Sequence, residues 1–143
     1  MDIIIVNLYL LLGTVQDIQK RKISNCYLWI GGIIGFVFRI INLKEESYSF
    51  SEWLLALIPG VILLLLAKVT GEKIGFGDGW VVIILGNFMT ILEISMLLQS
   101  AVILVAIFAL IFLLGRKISK EYSIPFLPFL WSAHFLLWRF GYV

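Results

Sequence analysis

Charged residues fall in short clusters along the chain and leave six long, nearly charge-free apolar runs at Ile3–Gln19, Cys26–Leu43, Phe50–Ala67, Ile74–Leu92, Ile94–Gly115 and Ile124–Val143. Each approaches the length, about 20 residues, that a helix needs to cross a hydrocarbon core. Inside lipid every backbone polar group must find its partner within the protein, so spans of this kind are helical. Only short connectors remain between them, without an internal repeat, a low-complexity tract or a linker. The pattern predicts an all-α, polytopic membrane protein: one bundle of about six transmembrane helices forming a single domain over residues 1–143.

Composition strengthens this reading. The 143 residues are 62% hydrophobic and 14% charged, with a mean hydropathy of +1.06, against about 45–50% apolar and about 25% charged in ordinary soluble domains. Cys26 is the only cysteine, which rules out an internal disulfide and a cysteine-rich zinc site. A net charge of +2 provides no basic face for phosphates, so no nucleic-acid partner is expected. Residues 1–15 lack a basic start and a small-residue cleavage site, and are expected to remain as a helix rather than leave as a signal peptide.

The basic residues orient the bundle, because Lys and Arg in short loops stay in the cytoplasm. Lys20, Arg21 and Lys22 lie in the first connector, Lys68 and Lys73 in the third, and Arg116, Lys117 and Lys120 in the fifth. The second connector sets Lys44 against Glu45, Glu46 and Glu52, and the fourth is expected to be a tight turn around Glu93. Both termini are therefore expected outside, with the odd-numbered connectors in the cytoplasm.

Asp17 and Asp78 then stand out as the only charged residues within their runs. If Asp78 lay in the connector, Gly79–Leu92 would reach only about 21 Å, short of a ~30 Å core, so Asp78 is expected within the membrane boundary. A carboxylate there is costly and points to function. Both aspartates fall at the cytoplasmic ends of their runs and therefore at one depth. Two carboxylates sharing a site cannot both ionise comfortably, so one keeps its proton. Such an acid and base acting across a water hydrolyse peptide bonds without a metal or a covalent intermediate. Plainer roles exist for each: Asp78 as an N-cap after Gly77, and Asp17 as a juxtamembrane ion-pair partner of Lys20. In Gly75-Phe76-Gly77-Asp78-Gly79 three glycines bracket the acid, which suggests unwound backbone lining a cavity where a substrate strand docks.

These residues carry a family resemblance. The Gly75–Asp78 sequence GFGD resembles the G-x-G-D motif of membrane-embedded aspartyl proteases, specifically the type IV prepilin peptidases. Asp17 followed by Ile23-Ser24-Asn25 is similar to that family's first motif, an aspartate a few residues before Ile-Pro-Asn. Ile124-Pro125-Phe126-Leu127-Pro128-Phe129-Leu130 is similar to its late I-P-F-x-P-F-L segment. The resemblance runs over essentially the whole chain. It implies removal of short basic leader peptides from prepilins or pseudopilins at the cytoplasmic membrane face. Asp17 and Asp78 would be the catalytic pair and Gly75, Phe76, Gly77 and Gly79 the shapers of the substrate-binding backbone, with Asn25, Pro125 and Pro128 as supporting motif positions. Ser24 stands where the family usually has proline, and Trp80 where a lysine is common. Larger members carry a methyltransferase domain with paired C-x-x-C motifs that this chain lacks, so neither zinc, S-adenosylmethionine nor another cofactor is expected. Two other readings fit the residues: an intramembrane aspartyl protease for a different signal segment, and a non-catalytic scaffold.

Among the remaining polar residues, His134 is expected to bond a neighbouring helix. Arg39 and Arg139 are expected to snorkel to the outer interface beside Trp53 and Trp138. Gly31 and Gly35 form a small-residue packing face, Pro59-Gly60 a potential kink, and Glu72 and Lys73 potential contacts for a basic leader.

Overall fold

The computed structural model describes residues 2–42, 49–71, 75–114 and 125–142. These residues contain six helices and no strand: α1 (Asp2–Lys20), α2 (Asn25–Asn42), α3 (Phe50–Val69), α4 (Phe76–Leu85), α5 (Ile91–Leu114) and α6 (Leu127–Arg139). The helical reading of all six apolar runs therefore holds. Three helices, α2, α3 and α5, are long and apolar enough to cross a membrane. Within their most apolar stretches only 17–22% of residues are buried inside the bundle, so large apolar side chains such as Ile33, Leu65 and Ile111 face outward. An exposed apolar surface of this extent needs lipid around it. The connector charges Lys44, Glu45, Glu46, Glu72, Lys73, Arg116, Lys117 and Lys120 lie outside the described residues.

Local chemistry sets the helix ends. The Ser24 carbonyl accepts the Leu28 N–H at 3.2 Å and starts α2. At the end of α3 the Thr70 hydroxyl donates to the Leu66 carbonyl at 2.7 Å, and Gly71 follows at φ +64°, the left-handed conformation in which glycine closes helices. Pro59 lies inside α3, which continues through it.

The fourth apolar run departs most from expectation. α4 has 10 residues, about 15 Å of helix, instead of continuing to Leu92. It stops because Asn87 turns back on it: the side-chain Nδ2 donates to the carbonyls of Ile83 at 3.3 Å and Ile84 at 3.1 Å. The Trp53 indole of α3 donates to Asn87 Oδ1 at 3.2 Å. Arg39 is buried, 3% exposed, and donates to the Gly86 carbonyl at 3.3 Å. A cation at the carbonyl end of a helix interacts favourably with its dipole. This corrects one expectation: Arg39 points into the bundle instead of snorkelling outward. Arg139 and Trp138 are exposed. The turn also lies earlier than the expected one at Glu93. Glu93 sits in the first turn of α5, where its carboxylate accepts the Thr90 N–H at 2.7 Å and its own N–H donates to Thr90 Oγ1 at 3.3 Å. This reciprocal pair is a capping box.

Packing runs through neighbouring helices in the order α1, α6, α5, α3, α4, α2. α3 and α4 are the tightest pair, because Gly60 lets the α4 backbone approach: a Cβ there would lie 2.6 Å from the Ile83 nitrogen. Two tyrosines tie α1 to α2. The Tyr9 and Tyr27 rings stack at 4.4 Å with an interplanar angle of 6°, and the Tyr27 hydroxyl donates to the Tyr9 carbonyl at 2.6 Å. Each ring covers a glycine of the opposite helix, Tyr9 over Gly31 and Tyr27 over Gly13. Gly35 lies against Asn87 and Phe88, so the small-residue face of α2 serves packing. Leu10, Leu85, Ile94, Leu97, Leu127 and Leu130 fill the centre.

Candidate active site

On α1 the buried residues Val6, Leu10, Thr14 and Asp17 recur at helical spacing and make one face, which packs on α6. Asp17 is the last of them and is 8% exposed. A buried carboxylate needs hydrogen-bond donors, and these come from the other end of the chain. Its Oδ2 accepts the Leu127 backbone N–H at 3.1 Å, and the Phe126 N–H also faces it. Phe126 is the N-cap of α6 and Leu127 its first residue, so these amides belong to the donors that a helix start leaves free. Asp17 is thus bonded to α6 and not to Lys20, so the ion-pair role is not what the structure contains.

The sequence around Asp17 fixes this arrangement. Pro125 and Pro128 carry no N–H, so Phe126 and Leu127 are the only amide donors between Pro125 and Pro128. The Leu127 side chain is fully buried and lies over Gly13, where a Cβ would come 2.6 Å from Leu127 Cδ2. Gly13 is one turn before Asp17, so the leucine that supplies the amide is seated on the same face as the carboxylate that receives it. Neither Gly13 nor Leu127 was singled out by the sequence reading. The signal available was the Pro-x-x-Pro spacing at a helix start, which leaves two free amides with no local acceptor.

Asp78 stands at the opening of α4. Gly75 is the N-cap, with φ −60° and ψ 122°, and the Asp78 N–H donates to the Gly75 carbonyl at 3.1 Å. Asp78 is therefore the third helical residue rather than the N-cap, and its carboxyl receives no hydrogen bond from the described residues. It folds back over Gly75, where an added Cβ would lie 2.7 Å from Oδ2. Gly77 and Gly79 lie inside the helix, which corrects the expectation of unwound backbone. These glycines provide close approach. A Cβ on Gly77 would meet Ile23 Cδ1 at 2.8 Å, and one on Gly79 would meet Leu64 Cδ2 at 2.7 Å. The contact between Gly77 and Ile23 joins the loop before α2 to the GFGD turn, so two motifs distant in sequence share one corner of the bundle.

Both aspartates border the loop before α2: Asp17 follows Gln16, whose Oε1 accepts the Ser24 N–H, and Asp78 follows Gly77, which packs on Ile23. Around them Asn25 is exposed at the start of α2, and the Ser24 N–H donates to Gln16 Oε1 at 3.3 Å. Phe76 and Trp80 are exposed one turn apart on α4, flanking Asp78. An open groove of about 540 Å³ between α1 and α2 ends beside Gln16 and Ser24. No group of His, Cys, Asp and Glu able to hold a metal occurs among the described residues. His134 is fully buried, with Nδ1 3.3 Å from Asn7 Oδ1 of α1. It bonds a neighbouring helix as expected.

Comparison with curated proteins and with solved structures gave no match. Residues 4–114 match the model of the type IV leader peptidase family, which covers α1 to α5 and both aspartates and stops before α6. With that match extending over most of its length, the chain belongs to the type IV leader peptidase family and is a membrane peptidase.

Proposed function

We propose that this protein is an aspartyl endopeptidase that removes short basic leader peptides from type IV prepilins or prepilin-like proteins at the cytoplasmic membrane face. Asp17 and Asp78 act together on the hydrolytic water. The observation that carries this reading is that the buried Asp17 and the half-buried Asp78 both border the loop before α2, Asp17 next to Gln16, which bonds Ser24, and Asp78 next to Gly77, which packs on Ile23. In such a pair one carboxylate takes a proton from water while the protonated partner polarises the scissile carbonyl. Gly75, Phe76, Gly77 and Gly79 shape the surface that meets the substrate, and Asn25, Pro125 and Pro128 hold the elements around it. A leader rich in Lys and Arg stays in the cytoplasm by the rule that orients this chain, which puts its junction with the following apolar segment level with the two aspartates.

The test is cleavage of a synthetic substrate, a Lys/Arg leader followed by an apolar segment, by the purified protein in lipid. The account expects cleavage at the junction and strong loss when the leader's basic residues become Gln. Equal cleavage of the uncharged leader favours an aspartyl protease for other signal segments.

The Asp17–Leu127 hydrogen bond favours one rival, in which Asp17 only ties α1 to α6. Asp17→Asn separates the two, because an amide oxygen still accepts the Leu127 N–H but is no base. Wild-type cleavage by that variant would establish the structural role and remove the catalytic one.

A further inference from the structure

The two carboxyls are not equivalent, and the difference comes from α6, which lies outside the stretch matched to the family. Asp17 Oδ2 accepts the Leu127 amide at 3.1 Å. That N–H is a donor only, so it bonds a carboxylate better than a neutral acid in the same place. The Asp78 carboxyl receives no such donor from the described residues. Leu127 is held by its side chain, fully buried over Gly13, so the position of its amide is set by packing one turn away from the acid that it serves.

We infer that the first turn of α6, seated through Leu127 on Gly13, is a positioning element that holds Asp17 as the ionised member of the pair and thereby makes Asp17 the base and Asp78 the acid. This rests on the catalytic pairing proposed above. The proton balance follows. Water loses a proton to Asp17, its oxygen bonds to the scissile carbonyl carbon, and the Asp78 proton passes to the carbonyl oxygen, giving a gem-diol. Asp17 then delivers its proton to the leaving nitrogen while Asp78 takes one back from a gem-diol hydroxyl. The C–N bond breaks, and both residues return to their starting states. Oδ2 stays on the Leu127 amide, which leaves Oδ1 of Asp17 to receive the proton. Leu127 and Gly13 touch neither water nor substrate; they act through Asp17.

The test uses a lipid-soluble carbodiimide, which adds to protonated carboxyls, on the full-length protein in lipid at neutral pH, with the modified residue mapped by mass spectrometry. The expected result is modification of Asp78 with Asp17 spared, and no modification at this corner in Asp78→Asn. Preferential modification of Asp17 overturns the assignment even if both aspartates are required for cleavage; loss of that requirement would instead overturn the functional reading itself. Positioning is tested in the same preparation. Leu127→Ala is expected to lower kcat by about tenfold or more, the scale of a misplaced catalytic group, with KM within about twofold and Asp17 now modified as well. Leu127→Met restores most of the rate. If Leu127→Ala does not fold, Leu127→Val, which shortens the same side chain by one methylene, is expected to give the same split in smaller measure. Unchanged kcat in a folded variant of either kind overturns the positioning role.

Discussion

Adding one methyl group at Gly60 tests whether the α3–α4 contact sets the geometry of the site. The Cβ of Gly60→Ala would lie 2.5 Å from Ile83 Cγ1, 2.6 Å from the Ile83 nitrogen and 3.0 Å from its Cα. The side-chain atom can turn away, but the two backbone atoms cannot. Ordinary contact begins at 3.4 Å, so the helices must part by roughly 0.8 Å at this point, an overpacking that costs about 1–3 kcal/mol. Alanine offsets about 0.8–1.0 kcal/mol of this by its helix propensity. The net effect is a loss of up to about 2 kcal/mol, seen as a Tm lower by several degrees in detergent. Because α4 carries Asp78, the same displacement is expected to reduce cleavage by about tenfold or more. Gly32 on α2 is the control, since nothing lies within 4 Å of its added Cβ. There the propensity acts alone, so Gly32→Ala should hold or raise the Tm and leave cleavage unchanged. A Gly60→Ala protein as stable as Gly32→Ala and fully active would refute the close-approach argument.

Other consequences concern the ends of the helices and the membrane topology. Asn87→Ala removes the bonds to the Ile83 and Ile84 carbonyls and the acceptor of the Trp53 indole, and is expected to destabilise by about 1–3 kcal/mol in thermal unfolding. Thr90→Ala breaks the capping box with Glu93 and should cost about 1 kcal/mol by the same measurement, with little effect on cleavage. Tyr27→Phe loses the bond to the Tyr9 carbonyl but keeps the ring stack, for about 0.5–1.5 kcal/mol. Single cysteines at Lys20, Lys73 and Lys117, in a chain where Cys26 has been replaced, should resist an impermeant reagent applied from outside. Labelling of any one would contradict the orientation drawn from the basic residues.

The sequence showed the six helices because lipid-facing apolar runs announce themselves, but it did not show where α4 ends. The run from Gly79 to Leu92 is broken only by Gly86, Asn87 and Thr90, each tolerable in a span. The stop comes from Asn87 bonding back to the helix, with Trp53 and Arg39 from other helices fixing that turn. For the same reason Arg39 read as an interfacial residue: its acceptor, the Gly86 carbonyl, exists only once α4 has ended there. The glycines around Asp78 were legible as special, yet for the wrong cause. Their composition suggests free backbone, whereas the fold uses them to bring Ile23, Leu64 and the Asp78 carboxyl close. Asp17 and Asp78 were visible as isolated charges. The amide that bonds Asp17 was not, because it belongs to backbone 110 residues away and leaves no side-chain signature beyond two prolines.

The account stands most directly on the kinetics of Asp17→Asn, Asp78→Asn and the double variant, measured on the basic-leader substrate with folding checked by thermal unfolding. If the two carboxyls act as one unit, each single variant should lose cleavage by about 10³-fold or more, and the double variant should be no slower than the worse single one, as for groups that work together. A folded single variant that cleaves at the wild-type rate, or losses that multiply in the double variant as independent effects do, would contradict it.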